Sequence, residues 1–278
     1  MAFTIFPAID LRNGQVVRLR QGDPAAQTVF GDDPAAVARR WADQGAAWLH
    51  VVNLDGAFSG QGRDSSLPSV AQNDGGGGGR SPNLSLSLSL NLQRLVEIRA
   101  AVSLPIQFGG GVRTVDDVAQ ALALGATRVV LGTVAVQQPE VVAQAVARFD
   151  VEQIVVGIDA RAGVVATHGW LETSALDALT VARRMADLGV LRIVFTDIAR
   201  DGTLTGVNVA ATAALARASG LRIIASGGVA SLDDIRDLAS HAADGIEGVI
   251  VGQALYTGAV SLPEALSSVE EFLLKRET

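Results

Sequence analysis

Ile224-Ala225-Ser226-Gly227-Gly228-Val229, followed by Ser231-Leu232-Asp233-Asp234-Ile235, reads as a buried strand, a two-glycine turn and a helix start. Glycines there let the backbone approach a ligand without a Cβ in the way. Unpaired N–H groups at a helix start, together with the helix dipole, favour an anion. The stretch is therefore a candidate phosphate cradle. Alone, the pattern is also that of an ordinary tight turn. A second copy strengthens it: Gln107-Phe108-Gly109-Gly110-Gly111-Val112, then Thr114-Val115-Asp116-Asp117-Val118. About twenty residues after each copy comes another buried strand ending in glycine, Val129 to Gly132 and Val249 to Gly252. Two cradles imply a ligand with two phosphates and a chain built from two similar halves.

Working outward, helical and strand patterns alternate along most of the chain. Strands are expected at 3–9, 48–54, 104–108, 127–131, 152–158, 191–196, 221–225 and 246–251. Helices are expected from Pro34 to Gly45 and at 91–101, 114–124, 139–148, 173–188, 208–218, 231–241 and 262–274. Val16 to Leu19 reads as an extended continuation after a turn at Asn13-Gly14. Arg20 to Asp33 reads as a polar segment too long for an ordinary connection. Eight strand–helix units imply a closed parallel (β/α)₈ TIM barrel. The other architecture compatible with the pattern is an open doubly wound sheet.

The two halves align on each other. Ile9-Asp10-Leu11-Arg12 matches Ile158-Asp159-Ala160-Arg161, 149 residues later. Asp55-Gly56 matches Asp201-Gly202 at 146 residues, whereas Asn91 matches Asn208 and Gly110 matches Gly227 at 117. The difference is 29 residues. It falls in a low-complexity stretch with a glycine run from Gly75 to Gly79 and a Ser/Leu alternation from Leu84 to Leu92. The chain thus reads as a single barrel domain of two duplicated half-barrels, with 61–90 as an insertion in the second βα loop that is expected to be disordered.

Composition narrows the function classes. The 278 residues are 49% apolar, which is ample for a core. There is no cysteine, so thiolate catalysis, disulfides and Cys-ligated metal are excluded. A net charge of -7 argues against a general nucleic-acid binder. No apolar run is long enough to span a membrane, and the N-terminus lacks the regions of a signal peptide. A cytoplasmic protein, expected to be a monomer, is the default.

Barrel active sites lie at the C-terminal ends of the strands. Asp10 ends strand 1 and Asp159 ends strand 5, which face each other in a ring of eight. One carboxyl of such a pair can donate a proton while the other removes one. The competing view is that each Asp caps the turn that follows it. His50, mid-strand among apolar residues, reads as a packed residue, and Trp170 as a loop ring that stacks on a ligand or covers the rim. His241 reads as a surface residue. No His/Asp/Glu cluster has metal-ligand spacing, so no metal is expected. Ser226 has no evident His partner for a triad.

Several stretches together resemble one family closely. They are Phe6-Pro7-Ala8-Ile9-Asp10-Leu11, Val16-Val17-Arg18-Leu19, Gln21-Gly22-Asp23, Leu49 to Ala57, Gly109-Gly110-Gly111-Val112-Arg113, Gly169-Trp170, Thr196 to Thr203 and Ala225 to Val229. The chain is similar over nearly its whole length, except 61–90, to the histidine-biosynthesis isomerase acting on phosphoribosylformimino-aminoimidazole carboxamide ribotide. The resemblance implies an Amadori rearrangement of an aminoaldose to an aminoketose without metal or organic cofactor. It implies Asp159 as the acid at the ribose ring oxygen and Asp10 as the base at C2′. Arg18, Trp170, Thr196 and Asp201 match positions near the substrate, and Gly22, Gly110, Gly111, Gly132, Gly227, Gly228 and Gly252 are expected to form the phosphate-binding rim. Asn53 departs from the Asp of many members. Alternatives are the related cyclase, which carries Lys near Arg18, a dual-substrate isomerase also serving tryptophan synthesis, and a non-catalytic ligand-binding barrel.

A flexible stretch of 29 residues spans about 30 Å, and closing it costs little because loop entropy grows logarithmically. Joining Gly60 to Asn91 through one residue, as Val207 joins Gly206 to Asn208, is expected to leave an active protein of equal or higher melting temperature. Melting and turnover of the shortened chain check this. A folded but inactive product would give the segment a function.

Overall fold

The computed structural model describes residues 3–59 and 88–277. Its strands, in chain order, are β1 (Thr4–Arg12), β2 (Gln15–Arg20), β3 (Asp23–Gly31), β4 (Leu49–Asn53), β5 (Ile106–Gly109) and β6 (Arg128–Leu131), then β7 (Ile154–Arg161), β8 (Val164–Thr167), β9 (Glu172–Asp177), β10 (Arg192–Asp197), β11 (Arg222–Ser226) and β12 (Ile246–Val251). Eight of them pair in parallel in the order β1-β4-β5-β6-β7-β10-β11-β12, and β12 returns to β1. The sheet is a closed (β/α)₈ barrel. β1 and β7 are four strands apart in either direction, so they are opposite walls.

Two hairpins leave the barrel at equivalent points. β2 turns back antiparallel on β1, and β8 turns back antiparallel on β7. Both turns have two residues in the left-handed region, Asn13-Gly14 and Ala162-Gly163. That is the twist which suits a two-residue hairpin. The first hairpin grows a further strand: Arg20 to Asp33, read as an irregular connection, contains β3, paired antiparallel with β2. The helix expected at 173–188 divides into β9 and a helix over Ala178–Asp187. Asp177 fixes that boundary, because its carboxylate accepts from Thr180 N at 2.9 Å as an N-cap. Other boundaries shift by one to three residues.

Core packing follows the period of two along each strand. Phe6, Ala8, Val155, Val194, Ile224 and Ile250 form one apolar cluster. The larger cluster joins the outward strand faces to helices, with Ile9, Val51, Ile158 and Ile193 against residues such as Trp41, Leu95, Ile98 and Met185. The N-terminal ends of the strands carry ions. Arg192 is buried and bonds Glu247, and its Nη1 lies 3.0 Å from Glu152. Arg128 lies 4.1 Å above the Trp48 ring.

The duplication is visible in hydrogen bonds. Asn91 Nδ2 donates to Asn53 Oδ1 at 2.7 Å, and Asn208 Nδ2 donates to Asp197 Oδ2 at 2.9 Å. Thr114/Asp117 and Ser231/Asp234 form matching capping boxes. The segment 61–90 falls mainly on 60–87, outside the described residues. Its last three residues lead into the helix over Leu90–Ala101.

Asn91 does more than its counterpart. It also donates to Leu11 O and Asp55, and accepts from Gly14 N, all while 1% exposed. Asn91→Ala strands several buried groups and is expected to cost about 2–4 kcal/mol. Asn208→Ala, mainly a lost cap, is expected to cost about 1 kcal/mol. Denaturant melts of the two variants give the comparison.

Candidate active site

The inward face of β1 reads Phe6, Ala8, Asp10 from bottom to top, so the period that buries Phe6 also brings Asp10 to the mouth. Gly157 and Asp159 stand likewise on β7. Both carboxyls line one cavity at the C-terminal ends of the strands, together with Arg18, Gly22, Gly110, Gly111, Gly132, Trp170, Thr196 and Asp201. A smaller adjoining cavity is lined by Gly227, Gly228 and Gly252, and shares Arg18 and Asp201 with the first. Every site residue expected from sequence therefore stands at this mouth.

The two carboxyls have different neighbours. Arg18, reaching in from β2, places Nη1 2.7 Å from Asp10 Oδ2. Burial pushes the Asp10 carboxyl up, and the guanidinium pulls it back. Burial also pushes Asp159 up, but what pulls it back is neutral: the nearby Thr196 hydroxyl and the Trp170 indole. Asp201 is pushed up to about 6 by burial, with Arg18 opposing and the charges of Asp10 and Asp159 adding.

The loops of the mouth hold one another. Gln21 N donates to Asp201 O at 2.9 Å, and Gln21 Nε2 donates to Ala199 O at 2.7 Å. Trp170 packs on Gly22, where a Cβ would overlap its ring. His168, Gly169 and Trp170 all have positive φ, a conformation that turns the Trp over the cavity.

Two readings of the glycine stretches change. The N–H groups just before each helix are engaged by the helix's own acid. Arg113 N and Thr114 N donate to Asp117 Oδ2, and Ala230 N and Ser231 N donate to Asp234 Oδ2, all at 2.9 Å. Thr114-x-x-Asp117 and Ser231-x-x-Asp234 carry that signal in sequence, since each is a Ser/Thr cap with an acid three residues on. The glycines also face protein. A Cβ on Gly110 would overlap Asn53 backbone, and one on Gly228 would overlap Gly206 O. Both have φ near +95°, at 95° and 94°. A Gly→Val change here therefore disturbs loop packing as well as any ligand.

His50 is expected from the sequence to be a packed residue. It is 8% exposed and 3.0 Å from Gln107 Nε2 through Nδ1, yet it also lines the cavity. Burial, with Arg18's charge second, pushes it down to about 3, so it is neutral. Its place on the inward face, two residues before Val52, was the available signal. His241, read as a surface residue, is half-buried and pairs with Asp244 at 2.6 Å. Among the described residues, no group of three or more His or acidic side chains is placed to hold a metal. No described helix is long and apolar enough to cross a membrane.

A family model described as histidine biosynthesis protein matches residues 4–73 and 87–261. The chain is 51% identical over 263 residues to the 1-(5-phosphoribosyl)-5-((5-phosphoribosylamino)methylideneamino)imidazole-4-carboxamide isomerase of Moorella thermoacetica, covering 95% of this chain and 97% of that one. Proteins of the same name from Chloroflexus aggregans and Brevibacillus brevis are 48% identical over 263 residues and 43% identical over 270. They cover 95% and 97% of this chain, and 96% and 97% of their own.

Asp201 links the site to stability. Its folded pKa of about 6 lies above the unfolded value of 3.8. Between those values the folded state binds more protons, so stability falls as pH rises through the window. Asp201→Asn is expected to remove that fall and to stabilise the protein at pH 7 by about 1–3 kcal/mol. Unfolding free energies from pH 4 to 7 measure it.

Proposed function

This chain belongs to the histidine biosynthesis protein family, and we propose that the barrel mouth described above is its active site, with Asp159 as acid and Asp10 as base. The protein is an isomerase that interconverts an aminoaldose and an aminoketose. The observation that carries the role assignment is the unequal company of the two buried carboxyls. A carboxyl with a guanidinium at 2.7 Å keeps its charge and serves as a base. A buried carboxyl held only by neutral donors retains its proton more readily and serves as an acid.

The sequence of steps follows from that pairing. The substrate lies across the mouth, one phosphate toward Gly110, Gly111 and Gly132, the other toward Gly227, Gly228 and Gly252. Asp159 protonates the ribose ring oxygen, and the C1′–O bond breaks to leave a Schiff base. Asp10 takes the proton from C2′, and the electron pair moves to give an enolamine. Tautomerisation yields the ketose, with the proton count unchanged. Trp170 stacks on a planar ring of the substrate, while Thr196 and Asp201 orient the sugar. His50, being neutral, contributes a hydrogen bond and no charge.

The net charge of -7 supports a site for a small phosphorylated compound over one for nucleic acid. A cytoplasmic monomer that needs no cofactor is the simplest setting for this chemistry.

Conversion of the aminoaldose to the aminoketose, followed chromatographically, tests the reading. Asp10→Asn and Asp159→Asn are each expected to lower turnover by about two to four orders of magnitude, the range for losing a general acid or base. Binding of inorganic phosphate is expected to survive in both. Near-normal turnover in either variant removes that residue from its role.

A further inference from the structure

Arg18 is 7% exposed, yet its Nε has no partner among the described residues. A buried guanidinium N–H left without an acceptor is costly, so the unmet donor here points to an anion as its partner. The position of the group says which anion. One edge of the guanidinium holds Asp10. Another lies against Gly252, where a Cβ would overlap Nη2 and Cζ. Arg18 lines both cavities, whereas Asp10 lines only the first and Gly228 and Gly252 only the second. One cation therefore stands between the base and the second glycine rim.

We propose that Arg18 is shared between Asp10 and the phosphate seated at the Gly227, Gly228 and Gly252 rim, so that the arriving phosphate draws the cation's charge off Asp10 and makes it a stronger base. This rests on the reading of the mouth as a bisphosphate isomerase site. The groups that face Asp10 make the device workable. Arg18 comes from β2, Asp201 from the loop after β10, Tyr256 from the helix over Gln253–Thr257, and Asp159 from the opposite wall. Arg18 is the cation of that group. His50, beneath it, is neutral. Arg18 offsets part of the upward push that burial gives Asp10. A phosphate dianion beside the same guanidinium weakens that offset, and basicity rises when substrate is in place. The coupling is one-sided. Arg113, near the first rim, is held by Gly56 O at 3.0 Å and Ser59 Oγ at 3.1 Å, and the neighbours that hold Asp159 are neutral.

The test uses the full-length protein with ¹³C-labelled aspartate carboxyls, the Asp10 signal being assigned by its loss in Asp10→Asn. Its titration midpoint is expected to rise by about one pH unit at saturating inorganic phosphate. In Arg18→Gln the midpoint is expected to be high throughout and indifferent to phosphate. Arg18→Lys, which keeps a cation beside Asp10 without the guanidinium's second edge, is expected to shrink the phosphate-induced shift to a small fraction. It decides the matter should Arg18→Gln not fold. Phosphate binding by calorimetry with an unmoved Asp10 midpoint, or a shift that survives loss of Arg18, overturns the proposal. Failure of the unsubstituted protein to bind phosphate at all overturns instead the bisphosphate reading beneath it.

Discussion

Closing eight parallel strands into a ring sends every second side chain of each strand into one shared interior, and that interior must be filled. Here it is filled in layers of different chemistry. Ions and Trp48 occupy the N-terminal ends of the strands. Phe6, Ala8, Val155, Val194, Ile224 and Ile250 form the apolar middle. Asp10, Asp159 and Thr196 crown it. The position of the carboxyls is thus a consequence of packing: a strand whose Phe6 and Ala8 face inward has no choice about where Asp10 points. The apolar layer beneath them also removes water, which is why burial dominates the titration of both acids.

A barrel that places acids well does not by itself hold loops still. That work falls to short contacts between excursions. Gln21 reaches two backbone carbonyls of the loop after β10, and Trp170 lies on Gly22. Gly110 and Gly228 let the loops of neighbouring strands close on them. The glycines matter first for this tight assembly, and any approach of a phosphate comes on top of it.

Much of the design was legible in the residues. The eight alternating units, the offsets of 149, 146 and 117, and the Asn13-Gly14 turn all have local signals, and each has its counterpart in the fold. β3 and β9 were illegible for a physical reason. They lie outside the ring and pair only within their hairpins. None of their residues is fully buried, so the apolar alternation that marks a ring strand is missing from their sequence. The roles of Asp117 and Asp234 are legible too, since each capping box stands as Ser/Thr-x-x-Asp in the sequence. The Arg18–Asp10 pair is a tertiary fact. It depends on β2 folding back with Asp10 opposite Val17, a register that the turn type sets.

Duplication raises a question that the two hairpins answer. Two equal halves supply equal carboxyls, but the reaction needs one acid and one base. Asp10 and Asp159 are equivalent in the repeat, and the hairpins after them share the same two-residue turn. What differs is the cargo of each hairpin. The first carries Arg18 to Asp10, a charge within 2.7 Å. The second carries Trp170 to Asp159, a neutral donor. A cation favours the ionised form far more than a neutral hydrogen bond does. On the proposed roles, one difference of side-chain type per hairpin separates a symmetric pair into a base and an acid.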